Sequence, residues 1–184
     1  MSRYIIDAAH SEFHVQAFAT GLLSFVGHSP TFAIRNFTGA VEFVDDLIAK
    51  MRLELTVPSG QLLVLDDMKL ADRREIEDRT RDEVLQAAAF PEITFRASTI
   101  AAEKRELGRY AMTLEGPLSL RGVSRPYRVG GELKMFSDGL RISGETSLRM
   151  SDFGIHPVSA LGGTLRLKDE VNLKFELLAL PEKS

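Results

Sequence analysis

The chain has 184 residues, with 23 Lys and Arg against 26 Asp and Glu and a formal net charge of −3, enough length for one sizeable core or an enclosed cavity without staples. Cysteine and tryptophan are absent, which removes thiol catalysis, thiolate metal sites and a disulfide framework. Charges of both signs are interspersed, leaving no footprint for nucleic acid or an anionic membrane, and no apolar run approaches the ~20 residues of a spanning helix, so no stable membrane insertion is expected.

The opening "MSRYIIDAAHSEFHVQ" runs straight into patterned sequence. It lacks a basic region, an apolar core and a small-residue cleavage site, so the expectation is a cytoplasmic protein unless a leader preceded this numbering. In "SEFHVQAFA", Phe13, Val15, Ala17 and Ala19 alternate with Glu12, His14 and Gln16, the period of a half-buried strand. "SFVGHSPTFAI" follows, with Gly27 and Pro30 marking a turn. Phe25 and Val26 are expected at the mouth of whatever the strands enclose. His28 has no visible catalytic partner and reads first as a hydrogen-bonding residue of that turn, and second as a contact to a ligand. "FTGAVEFV" and "RLELTV" are the next strands, the second with Leu53, Leu55 and Val57 on one side.

Alternation then stops. "DDMKLADRREIEDRTRDEVLQAAAF" predicts a helix, in one piece or two, from about Lys69 to Ala88, ended before Pro91. Its apolar positions Met68, Ile76, Val84 and Leu85 make one thin stripe, and its mixed charges form a solvated face. Alternation resumes with Ile93, Phe95 and Ala97, then Tyr110, Met112 and Leu114. "GPLSLRGVSRPY" is a turn: Gly122 supplies a positive φ, Pro126 starts the next strand, and Arg121 and Arg125 read first as a solvated rim and second as a hold on an anionic headgroup. "PYRVGGELKMF", "LRISGETSLRM" with Leu140, Ile142 and Leu148, and "VNLKFELLA" with Val171, Leu173, Phe175 and Leu177 complete about eight strands.

Eight strands with one apolar face each must hide that face in a closed antiparallel barrel or a two-sheet sandwich. Their length favours the barrel, which leaves no edges. An interior of that size is filled by side chains or holds one slim ligand.

Catalytic and metal motifs are weak beside this pattern. His10 and His14 in "HSEFH" would bind zinc on a helix, but on a strand they sit ~13 Å apart. "DFG" at Asp152, Phe153 and Gly154 lacks every companion motif of a kinase and reads as a strand ending in a glycine turn. Asp45 with Asp46, and Asp66 with Asp67, fall in turns. His156 precedes Pro157 with no identifiable partner, and no G-x-S-x-G elbow occurs. No catalytic residue and no metal ligand is assigned; a hydrolase using His28 or His156 is the weakest reading.

Several stretches together resemble the YceI-like family of lipocalin-like, lipid-binding proteins. They are "YIIDAAHSEF", "FTGAVEF", Arg81 with Asp82, "FPEITFRAS", "GPLSLRGVSRPY", "LRMSDFGI" and "DEVNLKFEL", in family order across nearly the whole chain. The resemblance implies one all-β domain over residues 1–184, an elongated antiparallel eight-stranded barrel with one helical segment across it. It also implies a lumen for a long apolar ligand, a polyisoprenoid, quinone tail or fatty acid or amide, and it admits a homodimer without assigning a patch. Two departures stand out: "EVLQAAAF" is shorter than the aromatic-rich segment of many relatives, and the export signal many of them carry is not seen.

The reading is therefore a non-catalytic carrier or store with no cofactor beyond such a ligand. Its expected contacts, chosen by parity, are Phe13, Val15, Ala17, Leu55, Phe95, Met112, Leu114, Ile142 and Phe175, with Phe25, Val26 and His28 at the mouth. The alternative is a barrel filled across its axis, acting as a protein-interaction module in a stress-related pathway; Phe13, Phe95 and Phe175 meeting across the axis would produce it.

Overall fold

A computed structural model describes residues 2–20, 29–44, 47–156, 159–160 and 165–183. Within them the strands are β1 (Ser2–Ile6), β2 (Glu12–Thr20), β3 (Thr31–Ile34), β4 (Thr38–Phe43), β5 (Met51–Pro58) and β6 (Leu62–Val64), then helix α1 (Leu70–Arg79). After it come β7 (Glu92–Glu106), β8 (Arg109–Leu120), β9 (Val123–Met135), β10 (Leu140–Arg149), β11 (Ser159–Ala160) and β12 (Leu165–Pro181). The order β1–β4–β5–β7–β8–β9–β10–β12 closes on itself through antiparallel pairing of β12 with β1, giving an eight-stranded barrel with one α-helix among the described residues.

Three staves of this barrel are broken, which alternation did not foretell. β1 and β2 share one edge of β12: Ile5 faces Leu180, while Phe13 faces Phe175. Between them the Asp7 carboxylate accepts from the Ala9 N–H at 3.0 Å and starts a short 3₁₀ turn. Ser11 stitches the break to β12, its hydroxyl donating to the Asp7 carbonyl at 2.6 Å and accepting from the Leu178 N–H at 2.9 Å. His10 lies in this turn with Nδ1 2.8 Å from Asp7, so it does not share a strand with His14 and the strand spacing does not apply to the pair. β3 and β4 are separated at Asn36, whose φ of 57° a short polar side chain tolerates. β5 and β6 are separated at Ser59, which is held to the chain before β7 by Ser59 N–H to Pro91 O at 2.9 Å and Ser59 Oγ to Phe90 O at 2.6 Å.

These breaks divide the barrel into a closed end and a splayed end. β7 pairs with β5 from Pro58 to Arg52, and β6 pairs on one side only, with β3. α1 takes the vacant side, where Glu77 Oε1 accepts the Val64 N–H at 2.8 Å. A carboxylate thus satisfies a strand edge that would otherwise be open. α1 is strongly polar and buries Ile76 alone; the chain continues as a π turn over Thr80–Val84, with Val84 and Leu85 buried. The helical conformation ends before the expected Ala88 because Gln86 takes a φ of 50° and its carbonyl accepts from both Ala89 and Phe90.

A second splay separates β9 from β10. Their ladder runs from Leu140–Met135 to Gly144–Gly131 and stops. Beyond it, side chains do the joining: Tyr127 donates to Ser147 O, Arg125 Nε to Asp152 O at 3.0 Å and Arg121 Nη1 to Gly154 O at 3.4 Å. Gly122 has the expected positive φ of 73°. Pro126 is inside β9, not at its start; it faces Pro117, and neither ring has an N–H to exchange. "DFG" closes the 3₁₀ turn Met150–Phe153, with Gly154 left-handed at φ 69°. The core falls into two clusters. One, around Val41, Met51, Leu133, Leu140 and Ile142, fills the closed end. The other, around Phe32, Ile76, Leu120, Phe153 and Val171, surrounds the splayed end.

Candidate functional site

Between the two clusters the lumen holds a cavity of about 180 Å³. Cavities of this order lined by aliphatic and phenyl groups stay dry and take up apolar guests. The strands that reach it contribute alternate residues, because only one parity faces the axis: Leu53, Leu55 and Val57 from β5, and Val171, Leu173, Phe175 and Leu177 from β12. The helical segment adds Thr80, Val84 and Leu85, and the turn after β10 adds Met150 and Ile155. The cavity therefore reaches toward the splayed end, where helix and turn replace strands.

Among the described residues, only Thr80, Tyr127 and Thr146 bring polar side chains to this lining. Each is already engaged. Thr80 Oγ1 donates to Ile76 O at 2.7 Å. Tyr127 donates to Ser147 O and lies 3.2 Å from Thr146 Oγ1, so Thr146 can spend its proton on the phenol oxygen. Burial pushes the Tyr127 phenol above its ordinary value, which keeps it a neutral donor. Such walls reward carbon and offer little to a charged group.

Among the residues expected from parity, Phe13, Val15, Ala17 and Leu55 line the cavity, as do Phe95, Leu114 and Phe175. Met112 and Ile142 face inward but sit in the packed closed end, 4% and 1% exposed, away from the cavity lining. Parity fixes the side of a sheet and says nothing of depth along the axis. Phe25, Val26 and His28 lie outside the described residues, as do Ala19's side chain, Gly27, Asp45, Asp46 and Pro157. The three phenylalanines do not form one plug. Phe13 and Phe175 meet at 6.1 Å, whereas Phe95 packs edge-on against Tyr127 at 6.4 Å.

Sequence reasoning missed Tyr127 and Thr146 because the slot they bridge exists only where the β9–β10 ladder ends. Val84 and Leu85 carried a signal, the thin apolar stripe of the helical stretch, without indicating that they close a lumen. Arg81 and Asp82 are salt-bridged side by side, Nε and Nη2 each 2.8 Å from the carboxylate, which holds the Asp82 carboxyl below its usual range. The Arg81 carbonyl also accepts Ala87 N–H at 2.9 Å. The pair thus shapes the short segment behind the helix.

A family model described as a YceI-like domain matches residues 4–179. The chain belongs to the YceI-like family. Its fold recurs in the crystal structure of BcnA from Burkholderia cenocepacia, with a TM-score of 0.67 and 17% identity over 94% of this chain and 98% of that one. It recurs as well in the YceI protein of Campylobacter jejuni, with a TM-score of 0.57 and 17% identity over 82% and 84% of the two chains. At these identities the likeness is one of fold. Comparison with curated protein sequences gives no match. YceI-like barrels are known for binding hydrophobic ligands rather than for catalysis. Among the described residues, no helix is long and apolar enough to cross a membrane.

Proposed function

We propose that this YceI-like protein shelters a single long apolar chain in its lumen, a polyisoprenoid, a quinone tail or a fatty acid or amide, and carries or stores it unchanged. The observation that carries the reading is the lining itself: apolar side chains throughout, with the three polar ones turned to partners in the wall. Each buried methylene of a guest contributes ~0.8 kcal/mol, so about ten would give ~8 kcal/mol before the costs of association and ordering. Among the described residues the lining brings no imidazole, carboxylate or amine to the cavity, which supports binding without turnover. The splayed end is the natural entrance, since helix and loop segments there can shift without breaking a ladder.

The test is organic extraction of protein purified from its source under detergent-free conditions, followed by mass spectrometry of the extract. The expected result is a prenyl or fatty lipid in near-stoichiometric amount. Repeated extraction without lipid, together with no uptake of isoprenoid or fatty probes by the purified protein, would overturn the reading.

A further inference from the structure

Toward the closed end the cavity lining stops at Phe13 on β2 and Leu177 on β12, and the side chains just above this limit form an ordered device. Phe13 on β2, Phe175 on β12 and Gly144 on β10 stand side by side in register across three adjacent strands. A Cβ built on Gly144 would lie 2.7 Å from both Phe175 Cζ and the Gly130 carbonyl oxygen, so ring and backbone together occupy the space that any larger residue on β10 would fill. Phe13 braces that ring edge-on at 6.1 Å and is itself met by Phe37 at 6.0 Å. One step further toward the closed end Leu177 is the last β12 side chain to line the cavity, and Ile142, which faces it, is 1% exposed and lines none of it. Phe175 is only partly buried: one side of it rests on the packed end and the other borders the cavity.

From this geometry we propose that Phe175, seated over Gly144 and braced by Phe13, is the floor of the lumen and sets the longest chain segment the barrel admits. The inference rests on the binding reading above and deepens it. A guest that reaches the ring gains little from further methylenes, because only Leu177 lies beyond it on β12 as apolar wall. A chain longer than the lumen must leave its excess at the splayed end. Replacing the ring by a methyl opens space at the bottom while leaving the entrance unchanged. Each additional methylene then buried tightens binding about fourfold, or about fifteenfold per two-carbon step.

The experiment is a titration of delipidated protein with saturated fatty acids from decanoic to eicosanoic, in two-carbon steps, for the wild type, Phe175→Ala and Ile93→Ala. Ile93 lines the cavity from β7 and serves as a control that enlarges the lumen away from the floor. The wild type should tighten with length and then reach a plateau. Phe175→Ala should continue to gain about fifteenfold for at least one step past that plateau. Ile93→Ala should keep the plateau at the wild-type length. Should Phe175→Ala fail to fold, Phe175→Leu should shift the plateau in the same direction by less. An unchanged plateau in a folded Phe175 variant, or an equal shift in Ile93→Ala, overturns the floor. Absence of binding by the wild type at every length would contradict the binding reading itself, a different result from binding with a plateau that Phe175 does not control.

Discussion

Tyr127 meets the lumen with its ring and the barrel wall with its hydroxyl, and the two roles are separable. Tyr127→Phe keeps the edge-on contact with Phe95 but leaves Ser147 O without its donor. That loss should cost about 1 kcal/mol, a fall in Tm of ~2–4 °C for a chain of this size, while affinity for an apolar chain is retained; differential scanning calorimetry and titration of the same sample check both halves. Asp169 supplies a pH-dependent counterpart. Its carboxylate accepts the Ser151 hydroxyl at 2.6 Å and the Ser151 N–H at 2.7 Å. These bonds, the hydroxyl first, hold its pKa below the ordinary 3.8. Because the folded value is depressed, its contribution is fully present above the unfolded value and is lost as pH falls below about 4 through the folded value. Urea midpoints measured from neutral pH downward should therefore show a constant gap between wild type and Asp169→Asn that closes only on the acid side. A gap that widened there would contradict the assignment.

At the scale of elements, the splayed end depends on one helix substituting for a strand. Glu77 is the link, since its carboxylate takes the N–H of Val64 that no neighbouring strand claims. Glu77→Ala should leave that donor without a protein partner at a cost of about 1–2 kcal/mol, and the Val64 amide should exchange with solvent faster by about tenfold or more. Glu77→Gln retains an acceptor oxygen and should restore much of the protection. Ile76, the buried residue of α1, anchors the helix from below; Ile76→Ala should cost about 2–4 kcal/mol by leaving a hole in the splayed-end cluster. What was legible at this scale was the alternation, because burial on one face leaves a period-two mark in composition. Leu53, Leu55 and Val57 are all inward and buried, as their spacing implied. The broken staves left no such mark. The breaks at Asp7, Asn36 and Ser59 rest on local polar bonds and one positive φ, which any turn-forming residue in a strand-rich chain could equally signal. The same holds for the helix end at Gln86, set by backbone conformation, not by a proline or glycine.

Over the whole molecule, the barrel is two half-barrels of different character: a solid base and a hollow, loosely laced top. The sequence distinguished inside from outside but not base from top, which is why Met112 and Ile142 sit in the base whereas Phe13 and Phe175 stand at its boundary. Residues on one strand at one parity are chemically alike; only cross-strand register assigns their height. The central claim is that the guest lies in the hollow half, so the decisive comparison fills that half without touching the base. Ala17 is 3% exposed and lines the cavity from β2 opposite Val171; Ala17→Phe directs a ring into the free volume. Calorimetric titration of delipidated protein with palmitic acid should give one site per wild-type chain and at least a hundredfold weaker binding, or none, to folded Ala17→Phe. Equal affinity and stoichiometry for the two proteins would contradict the account, because the acid would then be held somewhere other than the lumen.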